Sequence, residues 1–175
     1  MNKVLAFSMT TALTVGMMTA AFAQESKPLG LSVRGGPFFP SMKKAKTDSG
    51  KQWIGVGVEY KLGDLQYGST GKAYSASYSI SADLYQKKNY RHAPVMLNYI
   101  GRMQDSIYYT AGAGVGFVRE LDNTNNRKNH TTFSYQIGLG YEFSKSQVPL
   151  FVEARWIGSS KNSVNGWGVF LGARF

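Results

Sequence analysis

Residues 74–85 read YSASYSISADLY, and every second position is apolar: Tyr74, Ala76, Tyr78, Ile80, Ala82 and Leu84. Between them stand Ser75, Ser77, Ser79, Ser81, Asp83 and Tyr85, five polar residues and a tyrosine. A helical repeat would mix the two sets on each face, whereas a period of two separates them, so this stretch is a strand with one apolar and one polar side.

The same period recurs on both sides of it. Upstream, Leu29, Leu31 and Val33 alternate with Gly30, Ser32 and Arg34 as far as about Phe39, and Ile54, Val56, Val58, Tyr60 and Leu62 alternate with Gly55, Gly57, Glu59 and Lys61. Downstream, Val95, Leu97 and Tyr99 oppose Met96, Asn98 and Ile100 in the least tidy segment. The fifth segment, from Ile107 to Arg119, sets Tyr109, Ala111, Ala113, Val115 and Phe117 against Thr110 and three glycines. Phe133 to Phe143 alternate with Ser134, Gln136, Gly138, Gly140 and Glu142, and Leu150, Val152, Ala154 and Trp156 with Phe151, Glu153, Arg155 and Ile157. The final segment, GWGVFLGARF (residues 166–175), carries Trp167, Val169, Leu171, Ala173 and Phe175 on one side and Phe170, Arg174 and glycines on the other. Eight such segments without a linker or repeat predict one domain of up-and-down hairpins. The connections expected after strands one, three, five and seven are polar and basic (41–46, 87–92, 122–130 and 159–163); the others are 63–71, 102–106 and 144–149.

Residues 1–23 read as a cleaved secretory leader, with Lys3 in a short positive start, a mostly apolar run from Val4 to Ala21, and Ala21-Phe22-Ala23 as the cleavage pattern before Gln24. A membrane anchor is the alternative. The remaining 24–175 form the barrel domain. The exported chain has no cysteine, so no disulfide framework stabilises it. No segment after residue 23 is long and apolar enough for a spanning helix. Strands that alternate facing lipid and lumen need not look hydrophobic on average, and the mean hydropathy is slightly negative.

Alternation alone fits a soluble lipocalin-like carrier as well as a membrane barrel. Volume separates them: eight strands enclose a space just wide enough for side chains, which six apolar residues per strand, many aromatic, would overfill. The glycines, serines and charges fit inside, and the apolar set then faces lipid. Aromatics near strand ends (Trp53, Tyr60, Tyr74, Tyr85, Tyr99, Phe133, Phe143, Trp156 and Trp167) are expected in girdles at the two interfaces. Since open edges are excluded from hydrocarbon, strand eight is expected to pair with strand one. The fold class is therefore all-β, an eight-stranded antiparallel up-and-down transmembrane barrel.

With the leader, the eight strands, the run APVMLNYIGRMQDSIYYTAGAGVGFVRE (residues 93–120) and the terminal WGVFLGARF, the sequence resembles the small outer-membrane β-barrel proteins of Gram-negative bacteria, the OmpX and opacity-protein-like group. The resemblance implies an integral protein of the cell outer membrane, with lipid and lipopolysaccharide as surroundings and the barrel-assembly machinery as a partner during biogenesis. It assigns the assembly signal to Trp167, Val169, Leu171 and Phe175. It implies a monomer, and export leaves no intracellular nucleic acid as partner. The long 63–71 connection and the lack of a large globular appendage argue against peptidoglycan-binding members.

On the inner face the sequence places Arg34, Glu59, Lys61, Asp83, Glu142, Glu153, Arg155 and Arg174, with Arg102 near them. Mixed signs at this density predict an internal ion-pair network, because unpaired buried charges are costly; a conducting pore is the sharper alternative. The formal charge of +10 is expected mainly in the outer connections, at Lys43, Lys44, Lys46, Lys51, Lys87, Lys88, Arg91, Arg127, Lys128 and Lys161. Such a surface suits lipopolysaccharide phosphates, or a host-surface or other polyanionic ligand. No cofactor or metal is expected: the two histidines, His92 and His130, read as loop residues and there are no cysteines. A lipid A deacylase is the enzymatic alternative. It would need a serine with a histidine base and a carboxylate, and the sequence offers Ser159 and Ser160 beside Trp156 and Ile157.

Overall fold

The structure is a computed structural model that describes residues 30–66, 75–103, 106–121, 126–143 and 148–175. The proposed leader, 1–23, lies outside the described residues, as does most of the 63–71 connection. The strands are β1 (Leu31–Pro40), β2 (Trp53–Gln66), β3 (Ser75–Lys87), β4 (Tyr90–Arg102), β5 (Ile107–Leu121), β6 (Arg127–Phe143), β7 (Leu150–Ser159) and β8 (Gly166–Arg174). Each pairs antiparallel with its sequence neighbour and β8 returns to β1, closing the barrel. At the seam the Phe175 amide donates to the Leu31 carbonyl at 2.7 Å and the Leu31 amide to the Phe175 carbonyl at 3.2 Å. Closure leaves the sheet with no open edge across the span, as hydrocarbon demands.

Burial follows the alternation. Ile80, Leu97, Ile137, Leu139 and Leu171 are exposed on the outer wall, while Ser79, Ser81, Asp83, Asn98 and Gln136 are buried in the lumen. The barrel has two ends: both described termini lie at one, the terminal end, and the β1–β2, β3–β4, β5–β6 and β7–β8 connections lie at the other, the far end.

Several far-end boundaries differ from expectation. The residues expected as a connection at 87–92 are almost all strand, since β3 and β4 remain paired as far as Lys87 and Tyr90. Only Lys88 and Asn89 turn, with Lys88 at φ 51, the left-handed conformation that a two-residue hairpin needs. Likewise β6 begins at Arg127, so Arg127, Lys128 and His130 belong to a strand. Ladders of polar residues continue there without the apolar contrast on which alternation depends. The expected coil at 41–46 is largely a short helix, α1 (Lys43–Ser49), which buries Ala45 and Ser49 against the far mouth and ends at Gly50, whose φ of 91 suits glycine.

Candidate functional site

The lumen is filled in layers, and its middle is a cluster of ionised side chains. β1 supplies Arg34, β2 Glu59, β3 Asp83, and β7 Glu153 and Arg155, all buried. Arg34 and Asp83 both stand beside Gly57 in the ladder. With no side chain between them, the Arg34 NH2 donates to both Asp83 oxygens, at 2.6 and 2.8 Å, and Nε to Oδ1 at 3.0 Å. A Cβ on Gly57 would overlap the Asp83 carboxylate. Arg34 NH1 donates to Glu59 at 3.0 Å, and Arg155 NH2 reaches Glu59 at 3.2 Å and Glu153 at 3.0 Å. The free valences pass into amides and hydroxyls: Arg155 NH1 donates to Gln136, Gln136 to Asn98 and Asn98 to Ser81, at 3.0, 2.6 and 3.0 Å. Tyr108 donates its hydroxyl to Glu153 at 3.0 Å. Buried ions are tolerable only with this degree of pairing.

Glu142 and Arg174 form a second group near the terminal end. Arg174 Nε and Arg102 NH2 lie 3.0 and 2.8 Å from the same Glu142 oxygen. The Arg174 guanidinium also covers the Tyr108 and Phe151 rings, which pack with Ile100. Lys61 joins neither group. It pairs with Ser79 of β3 and its amide donates to the Gly30 carbonyl at the terminal rim, where its side chain is exposed and pairs with Asp64 at 2.6 Å.

Towards the far end the lumen becomes aromatic. Phe38, Trp53, Tyr85, Tyr90 and Phe170 are buried together with Val118 and Ile157, under Ala45 of α1 and Val164. The Phe38 ring lies 4.9 Å from Tyr85 and 5.5 Å from Trp53. Trp53 and Tyr85, expected in an interfacial girdle, are thus interior residues. Their parity with Gly55 and Asp83 turns them inward, where each closes the barrel. Trp167, Val169 and Leu171 face outward, and Phe175 is half-buried.

His92 is also interior, not a loop residue: it pairs with Tyr85 across the ladder, and its Nε2 lies 2.9 Å from the Ser134 hydroxyl. Both are fully buried, with no route to lipid. His130 lies 3.5 Å from Glu120, whose other oxygen accepts the Ser163 hydroxyl. Neither group is a nucleophile, base and carboxylate relay: among the described residues no carboxylate bonds His92, and in the second group the serine is held by the carboxylate, not by the histidine. No cluster of metal-ligating side chains occurs among the described residues.

The basic residues gather at the far end on several elements. Lys43, Lys44 and Lys46 lie on α1, Lys87 ends β3, Lys88 turns, Arg91 opens β4, and Arg127 and Lys128 open β6. Arg119 of β5 stands among them and was missed, although it continues the outward parity of Phe117. Asp48, which accepts the Tyr90 hydroxyl at 2.9 Å, and Glu120 are the acidic residues at this end among the described residues.

A closed barrel with an apolar outer wall and an ion-filled lumen is a membrane-integral protein, since lipid is the one solvent that suits that wall. The chain matches the family described as outer membrane protein beta-barrel domain over residues 9–175, and it belongs to that family. It is an integral protein of the outer membrane. A solved structure similar to it is that of the Yersinia pestis outer membrane protein Ail in a phospholipid bilayer nanodisc, with 13% identity over 83% of this chain and 98% of that chain and a TM-score of 0.44. No curated relative matches the sequence.

Proposed function

We propose that the protein is a non-enzymatic, monomeric barrel that works through its cationic far end, directed outward from the cell. There it contacts lipopolysaccharide phosphates and other surface polyanions. The observation that carries this reading is the charge at that end, where the lysines and arginines of α1, β3, β4, β5 and β6 face only Asp48 and Glu120 among the described residues. The filled lumen supports a surface role over conduction, and the arrangement of the two histidines supports a non-enzymatic one.

Titrating the barrel in zwitterionic micelles with lipopolysaccharide tests the reading. Binding that weakens with salt, and about tenfold in K43Q/K44Q/K46Q, is expected for screened surface charges. Binding indifferent to salt and to those substitutions would overturn it. The deacylase alternative predicts that H92A or H130A changes lipid A acylation in membranes; no change is expected. Assembly through the terminal Trp167, Val169, Leu171 and Phe175, and removal of residues 1–23, belong to the same reading. A mature mass beginning at Gln24 is the expected mark of the latter.

A further inference from the structure

Arg91 and Arg119 stand directly opposite each other in the β4–β5 ladder. Both share the parity of outward residues, Val95 on β4 and Val115 and Phe117 on β5, which are exposed on the lipid-facing wall. Directly opposed like charges destabilise a sheet. Among the described residues no carboxylate pairs with them, and the hydrogen bonds in this group go to neutral amides, Arg119 Nε to Asn129 at 3.1 Å and neighbouring Arg127 NH2 to Asn89 at 3.0 Å. A guanidinium pair of this kind, at the boundary between apolar wall and solvent, matches a phosphate, whose oxygens accept planar forked donors.

A second observation fixes the rest of the ligand. A groove of about 500 Å³ runs over the outer wall across β1 to β4, with Arg91 towards its far end and Phe175 towards the other. It exists because Ala82 and Ala93 are small where Val56, Val58 and Leu84 beside them are large, and its surface is almost wholly apolar. Free phosphate would satisfy the arginines and leave the groove empty, and a neutral lipid would do the reverse.

We propose that Arg91 and Arg119 hold the phosphate of an outer-leaflet lipid whose acyl chain lies in this groove. The proposal rests on the far end facing outward, and it narrows the cationic-surface reading to one lipid site.

Native mass spectrometry from micelles, with bisphosphorylated lipid A as probe and barrel integrity checked by heat-modifiability on a gel, is the test. One lipid A is expected to remain on the wild-type barrel. Dephosphorylated lipid A, R91Q/R119Q and the groove-filling Ala82→Phe should each weaken retention at least about tenfold, the scale of a lost charge-assisted pair or a lost slot. Inorganic phosphate should not displace the lipid. A second readout separates binding from mere structure. In neutral detergent R91Q/R119Q should unfold no more easily than wild type, because repulsion is relieved, whereas in lipid A membranes it should unfold more easily. Undiminished retention by R91Q/R119Q, or equal retention of the dephosphorylated lipid, overturns the site. If K43Q/K44Q/K46Q weakens lipopolysaccharide binding while R91Q/R119Q does not affect lipid A retention, the cationic end stands and this site falls. The converse pattern keeps the site and removes the broader reading.

Discussion

Arg155 ties three strands together at the centre of the lumen, since it binds Glu59, Glu153 and Gln136 from β2, β7 and β6. Replacing it by methionine fills much of its volume but leaves Arg34 as the one guanidinium for both Glu59 and Glu153, at 3.0 and 3.6 Å, with the Tyr108 phenol on Glu153. The expected loss is about 3–5 kcal/mol, as for breaking one side of a buried pair, read by reversible urea unfolding in micelles. A loss below about 1 kcal/mol would mean that water replaces the guanidinium. Gly57→Val should be worse tolerated than Gly63→Val on the same strand, because a Cβ at Gly57 overlaps Asp83 while at Gly63 it meets open space. At this scale parity was legible in the sequence: it puts Arg34, Glu59, Asp83, Glu153 and Arg155 on one side. Which oxygen meets which nitrogen was not, because partners such as Arg34 and Asp83 are 49 residues apart. Lys61 shows the limit of parity, which gives a side chain its face but not the height at which the lumen ends.

Along single elements, β2 offers the clearest contrast. Val58 flanks Gly57 beside the central ions, whereas Leu62 lies past the last β1 pair, and both are exposed outward. Val58→Arg should cost about 2–4 kcal/mol in a bilayer and Leu62→Arg about 0–1, the depth dependence expected of a lipid-facing wall. Equal costs would mean that the strand is not immersed as its burial pattern implies. Element type was legible wherever residues alternate, as in β3 and β6. It failed at the far end, where Lys87 to His92 and Arg127 to Thr132 are polar on both faces, and at α1, whose seven residues carry too little periodicity to separate helix from coil. Closeness to strand ends points Trp53 and Tyr85 to an interfacial girdle, whereas the parity of their own strands turns them inward.

For the molecule as a whole, the layers of the lumen act in series: an aromatic plug under α1, the ion cluster, and Tyr108, Phe151 and Arg174 near the terminal end. Any one of them stops ion flow, so opening a path requires all of them to yield together. Eight strands leave only enough interior for side chains, and here those side chains are cross-linked by hydrogen bonds from β1, β2, β3, β4, β6 and β7. Wild-type barrel in planar bilayers should therefore show no unitary conductance steps. Removing the plug with Y85A/F170A should leave it silent, because the ions beneath still close the axis. Adding R155A should admit water to the centre but leave the axis closed at Phe151 and Arg174. Only the further F151A/R174A should give leak currents if the barrel survives, which heat-modifiability on a gel would show. Stepwise conductance in Y85A/F170A alone would place the barrier in the aromatic layer and make the ion cluster a lining instead of a seal.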